Sequence, residues 1–143
     1  MIDKYAIETE ILKRMKTAAL FTNAQRGFSN YKFNPAGKTI WVTNVINAIN
    51  GSEGAVSTTM EAGTYILDFF VRVPVNTGMA ILSAKEKAIG DLYDSRTSTN
   101  AYFVLSDSTK VNISSVETLP RVQFDAKWQQ ATVRLNIQAN KNN

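Results

Sequence analysis

Between Thr64 and Val75 the chain reads TYILDFFVRVPV, and this segment constrains the fold more than any other. In a strand, successive side chains point to opposite faces. Tyr65, Leu67, Phe69, Val71 and Val73 therefore share one face, which is apolar without exception and must line a core. Ile66, Asp68, Phe70 and Arg72 share the other, where apolar and charged residues alternate. Open solvent alone does not select that mixture. The second face therefore meets a loop, a helix of the same chain or another subunit. Asp68 and Arg72 are too far apart along one strand for a tight pair, so each is solvated or pairs with an adjacent strand. Pro74 stops the ladder, and Gly78 opens the way into a helix.

Helical periodicity flanks this strand. From Tyr5 to Leu20, the residues Ile7, Ile11, Met15 and Ala18 recur at spacings of three and four, and Asp3 is placed to cap the first turn. From Met79 to Tyr93 a broad apolar stripe includes Ile81, Leu82, Ile89, Leu92 and Tyr93, and Lys85 interrupts it. Further strands are predicted over Thr39–Ile46, over Tyr102–Leu105 as a short edge strand, over Val111–Val116 and over Lys127–Ala139. In the first of these, Trp41, Thr43 and Val45 point away from Ile40, Val42, Asn44 and Ile46. In the last, Ala131, Val133, Leu135 and Ile137 face inward, and Gln130, Thr132, Arg134, Asn136 and Gln138 face outward. The connector Thr22–Gly37 carries Phe28, Tyr31 and Phe33, aromatics expected to pin it to the core. A polar link is expected from Glu117 through Pro120, and a frayed tail over Lys141–Asn143.

The expected fold is α+β: a mainly antiparallel sheet packed with two helices, in the order α-β-β-α-β-β(-β), with a helix on each side of the middle strands. A length of 143 residues fits a single domain spanning 1–143. One stretch stands apart. Asn47–Ala62, NAINGSEGAVSTTMEA, is rich in Gly, Ser, Thr and Asn and has weak periodicity. It reads as a long hairpin arm. Its composition cannot build a core, so the arm is expected to be mobile in an isolated subunit and to order against a neighbour. A mobile tip without a partner is the other reading.

The chemistry is defined by what the side chains lack. With no histidine and no cysteine, the chain has neither the commonest general base nor a thiol nucleophile, and any metal site would rest on carboxylates. No GxxxxGK[ST] or GxGxxG phosphate loop occurs. The nearest carboxylate pairs, Glu8 with Glu10 and Asp91 with Asp94, lie on predicted helices and read as solvated groups. No catalytic residue, cofactor or metal is expected, and the chain does not read as an enzyme. Sixteen Lys and Arg against twelve Asp and Glu leave a charge of +4, scattered along the chain. The densest cluster is Lys13, Arg14 and Lys16. The segment Arg26–Lys32 interleaves basic and aromatic residues as single-strand binders do, but no partner motif on the strands supports it. No apolar run approaches the ~20 residues that span a bilayer, and no signal-peptide core is visible at the N-terminus.

The order and punctuation of the elements resemble those of the tail terminator proteins of long-tailed bacteriophages. The chain opens with the helix IETEILKRMKTAAL, then Phe33, Pro35 and Gly37 lead into TIWVTNV. Gly63 precedes the second strand, Pro74 and Gly78 separate that strand from the second helix, and WQQATVRLNIQA closes the chain. The resemblance implies a structural virion protein: a homohexameric ring that caps the tail tube, stops its polymerisation and docks the tail to the head connector. Its partners would be further copies of itself, the tail tube protein and the connector protein. DNA would pass through the ring unread, and no membrane would be involved. The location would be the head-proximal end of the tail, after assembly in the host cytoplasm. Another phage neck or tail-completion protein is an alternative, and a small nucleic-acid-binding module a more distant one. The residues expected at the subunit interface are Ile66, Asp68, Phe70 and Arg72 on the strong strand, with Glu53 and Glu61 of the arm facing Arg72 or Arg134 of a neighbour. A helix of the same subunit lying over this face is the competing reading.

Overall fold

The computed structural model describes residues 1–28, 33–49 and 60–142, and the backbone of 54–57. The helices are α1 (Lys4–Ala18) and α2 (Met79–Tyr93), and the strands are β1 (Trp41–Ala48), β2 (Gly54–Ser57), β3 (Met60–Pro74), β4 (Tyr102–Val104), β5 (Lys110–Gln123) and β6 (Trp128–Asn142). The strands form one sheet in the order β1-β3-β6-β5-β4, with β2 also paired to β3. Every strand pairing is antiparallel. The fold is α+β, as the alternation of apolar patterns predicts.

The helices depart from expectation in their placement. Both lie on the same face of the sheet instead of one on each side. The reason is the asymmetry of β3. Its odd-numbered residues from Tyr65 to Val73 are all fully buried, and they join Ile7, Ile11 and Met15 of α1 and Leu82, Ile89 and Tyr93 of α2 in one core. The even-numbered face carries charge and cannot take a second apolar helix. Tyr93 joins the layers. Its ring stacks on Phe69 at 5.8 Å, and its hydroxyl donates to the Ile11 carbonyl oxygen at 2.7 Å. Burial holds this phenol above its ordinary pKa. One side chain thus ties α2 to both β3 and α1, with its polar atom satisfied.

Local rules account for the helix ends. Asp3 caps α1, its Oδ1 accepting from the Tyr5 and Ala6 amides, and Ala19 closes the helix in the left-handed conformation at φ 55°. Lys85, the break in the α2 stripe, lies over the Phe21 ring and donates to the Leu20 carbonyl. Its stem packs while its charge finds an acceptor.

Three boundaries shift. β3 begins at Met60, so Gly63 sits inside a strand and does not precede one. The segment read as a link from Glu117 through Pro120 is strand. β5 absorbs it with register shifts between Ile113 and Ser115 and between Leu119 and Val122, where bulges free Pro120 from donating to the ladder. Lys141, expected to fray, is paired in β6 and donates to Asp107 at 3.2 Å. Within the expected arm, β2 pairs Gly54 with Ala62, Ala55 with Glu61 and Ser57 with Met60. Residues 50–53, 58 and 59 of the arm, and Tyr31 of the connector, lie outside the described residues.

Gly63 has a steric role. A Cβ there would meet the Tyr65 ring, with the hydroxyl oxygen at 2.7 Å and ring carbons at 2.9 Å. The buried ring occupies the space a side chain would need. Gly63→Ala is expected to destabilise the domain by about 1–3 kcal/mol through overpacking. Urea unfolding checks this, and an unchanged midpoint would show that the ring relaxes freely.

The turn from β4 to β5 is held by Asp107, whose Oδ1 accepts from the Thr109 amide at 3.0 Å and the Thr109 hydroxyl at 2.7 Å. These bonds first, and Lys141 after them, lower its pKa from 3.8 to about 2. Because the folded value is depressed, the stability this group contributes is present above pH 3.8 and is lost as the pH falls towards 2. Asp107→Asn is expected to flatten that part of the acid unfolding curve and leave the neutral-pH slope unchanged. An acid limb of unaltered steepness would assign the dependence to other carboxylates.

Candidate assembly surface

The face of the sheet opposite the helices carries the residues expected at an interface. Antiparallel register sets their neighbours. Asp68 lies between Val45 and Arg134, Phe70 between Thr43 and Thr132, Arg72 between Trp41 and Gln130, and Ile66 between Asn47 and Asn136. No described helix covers this face, which overturns the reading of a helix laid over it. Ile66, Asp68, Phe70 and Arg134 are half-buried by their neighbours on the sheet.

Asp68 and Arg134 form a two-pronged pair. Arg134 Nε donates to Oδ1 at 2.9 Å and Nη2 donates to Oδ2 at 3.1 Å. The hydrogen bonds to Asp68 raise the Arg134 pKa. Beside them, Asn136 donates to Ser115 Oγ at 2.9 Å and to Glu117 Oε1 at 2.8 Å. Both charges of the pair are therefore used within the subunit.

Arg72 is held differently. Its Nε donates to Gln130 Oε1 at 2.8 Å and its Nη1 to Thr43 Oγ1 at 3.0 Å. The guanidinium carbon lies 3.9 Å from the Phe124 ring centre, 4.6 Å from Trp41 and 5.6 Å from Phe70. Trp41 in turn meets Trp128 edge-on at 5.6 Å and stacks with Phe33 at 5.1 Å. Arg72 is only 9% exposed, and burial lowers its pKa, with the charge of Asp125 opposing that shift. It forms no ion pair among the described residues. The buried Trp41 Nε1 has no acceptor among the described residues. The result is a cation set among aromatic rings at the Pro74 end of the strands, with hydrogen-bonding capacity left over.

The fold thus brings together Ile66, Asp68, Phe70, Arg72 and Arg134. Glu61 is not among them. It has the opposite parity on β3, lies at the far end of the strand and accepts from the Met1 amino group at 2.8 Å. Glu53 lies outside the described residues. Sequence reasoning missed the aromatic members of the cluster around Arg72. Trp41 shares a strand face with Thr43 and Val45, Arg72 lies on the second face of its strand, and Trp128 shares the parity of Gln130. That shared parity is the signal that could have joined them.

Among the described residues, no group of three or more side chains is placed to hold a metal ion, and no helix is long and apolar enough to cross a membrane. The architecture defines an α+β protein with an open sheet face. No protein-family model matches the chain, and no curated protein does. A solved structure of a protein with no stated activity is similar over nearly its whole length: the match covers 97% of this chain and 96% of that one, with a TM-score of 0.66 and 12% sequence identity. A likeness at that identity shows a shared fold.

Two variants separate packing from charge at the ringed arginine. Arg72→Met keeps the apolar stem and loses two hydrogen bonds, so a loss of about 1–2 kcal/mol is expected. Arg72→Glu buries an unpaired carboxylate among the rings and near Asp125, at an expected cost of about 3–5 kcal/mol. Chemical denaturation of both checks this. Equal stabilities would mean that the side chain is effectively in water.

Proposed function

We propose that this protein is a structural virion component that works as a tail terminator: a closed ring of identical subunits that caps the tail tube, halts its growth and docks the tail to the head connector. The observation that carries the reading is a sheet face that no described helix covers, on which Ile66 and Phe70 alternate with Asp68 and Arg72, while both helices and the core lie against the other face. Such a surface is poorly suited to permanent exposure and well suited to burial against protein. The order α-β-β-β-α-β-β-β, in which the short β2 forms a hairpin with β3, resembles the helix, strand, long hairpin, strand, helix and further strands of that family. The chain contains no histidine or cysteine, in keeping with a role that rests on contact and not on chemistry. The partners in this reading are further copies of the chain, the tube protein and the connector, and DNA passes through the ring without being read. The site of action is the head-proximal end of the tail, reached by assembly in the host cytoplasm.

Sedimentation of the purified protein across a range of concentrations, with electron microscopy of negatively stained particles, tests the proposal. Rings of closed symmetry, six-fold by the resemblance, with a central hole that admits duplex DNA, are expected. A monomer at every concentration would contradict it. A monomer that binds short DNA with steep salt dependence would favour a nucleic-acid-binding module instead.

A further inference from the structure

Two surfaces at opposite ends of the strands complement one another. At the Pro74 end, Arg72 Nη2 has no acceptor among the described residues. Phe124, which lies against the guanidinium, is 49% exposed, and Val122 beside it is also exposed. This end offers a spare donor framed by apolar side chains.

At the other end, an open groove runs between the first turns of α1 and the β4–β5 turn. It is lined by the carboxylates of Asp3, Glu10 and Asp107 and by the apolar Tyr5 and Val104, and no cation lines it. Tyr5 is 61% exposed and Val104 53%. Arg14 and Lys141 reach Glu10 and Asp107 from outside the groove, and Lys4 lies over the Tyr5 ring. Asp107 uses both oxygens, but Asp3 engages only Oδ1 and Glu10 only Oε1. Among the described residues Asp3 Oδ2 and Glu10 Oε2 are therefore spare acceptors framed by apolar side chains.

A single copy cannot join its own donor to its own acceptors. Register places Val104 level with Lys110, Asn140 and Ala62. Ala62 and Arg72 are ten positions apart on β3, about 33 Å at the rise of a strand. Resting on the ring reading above, we propose that the Arg72–Phe124 end of one copy seats in the Asp3–Glu10 groove of the next copy. Phe124 and Val122 pack against Tyr5 and Val104, and Arg72 Nη2 donates to a groove carboxylate. Patch and groove are different surfaces, so the contact is heterologous, and each copy presents one of each. Apolar contact supplies the affinity, and the charges fix the register.

The chain has no cysteine, so engineered thiols report without background. Phe124→Cys and Val104→Cys alter exposed side chains and spare the fold. Each variant alone, their equimolar mixture and the double variant are treated with a short bismaleimide and resolved on a denaturing gel. The mixture is expected to give a covalent dimer and nothing larger, each single variant to remain a monomer, and the double variant to give a ladder. Tyr5→Glu in the Val104→Cys background is expected to cut dimer yield from the mixture about tenfold, equivalent to ~1.4 kcal/mol, with unchanged circular dichroism. A dimer from Phe124→Cys alone would mean a two-fold contact and overturn the proposal. Absence of cross-linking in a sample that sediments as a ring overturns the head-to-tail contact and leaves the ring intact. A monomer in sedimentation overturns both.

Discussion

The pairing of β3 with β6 runs without a register shift from Met60 opposite Asn142 to Pro74 opposite Trp128, and most other features follow from it. Because side chains alternate, this register puts Tyr65 against Ile137, Leu67 against Leu135 and Phe69 against Val133 on the helix side. It also puts Asp68 against Arg134 and Arg72 against Gln130 on the other side. A slip of one residue would turn the buried face of either strand towards water and separate the ion pair. The apolar face alone makes that slip prohibitive. At about 25 cal/mol per Å² of apolar area, exposing even a few of these side chains exceeds the net stability of an ordinary domain. The outer face therefore inherits its precision from the core.

The sheet edges narrow the ways in which another protein surface can pair with the sheet. β4 covers only Lys110–Asn112 of β5, so the rest of β5 forms an edge. Two register shifts and Pro120 break that edge, and Arg121 turns back to donate to Glu86 and Ser83 of α2. Bulges, proline and folded-back charges are the usual protections against strand-to-strand addition. At the other side of the sheet, Arg26 bridges Val42 and the Gly27 amide donates to the Val42 carbonyl oxygen at 2.8 Å, so part of the β1 edge is also occupied. Faces and strand ends remain for specific contact.

What the sequence reveals follows the range of each signal. α2 was legible to the residue, because its stripe and the Gly78 before it are local. Asp3 was legible as a cap for the same reason. The length of β5 was not: SSVETLPRVQ is polar and contains a proline, and only pairing with β6 over bulges makes it a strand. The placement of both helices on one face was implicit in the charges of the even-numbered face of β3, whose pairing with Arg134 and Gln130 depends on residues more than fifty positions away. The setting of Arg72 was hardest to read. Its rings come from β1, from β3 itself and from the β5–β6 turn, and no window of sequence contains them.

In the proposed ring the outer face must be tolerable in a free subunit and still worth burying. Ile66 and Phe70 stand on either side of Asp68, and the Asp68–Arg134 pair divides what would otherwise be a continuous apolar patch. Arg72 does the same at the next position while screening Trp41 and Phe70 with a cation that stacks on rings. Replacing the Asp68–Arg134 pair by aliphatic side chains would cost the isolated fold little, because charge pairs of this kind and their apolar counterparts are often close in stability. Such a surface would, however, bind itself in many registers, since apolar contact has no direction. Hydrogen-bonded charges among apolar residues penalise every docking that leaves a donor or acceptor dry and unpaired. That penalty makes one contact preferred over its neighbours, and the proposed ring, in which each subunit meets an identical copy in one repeated geometry, requires such a preference.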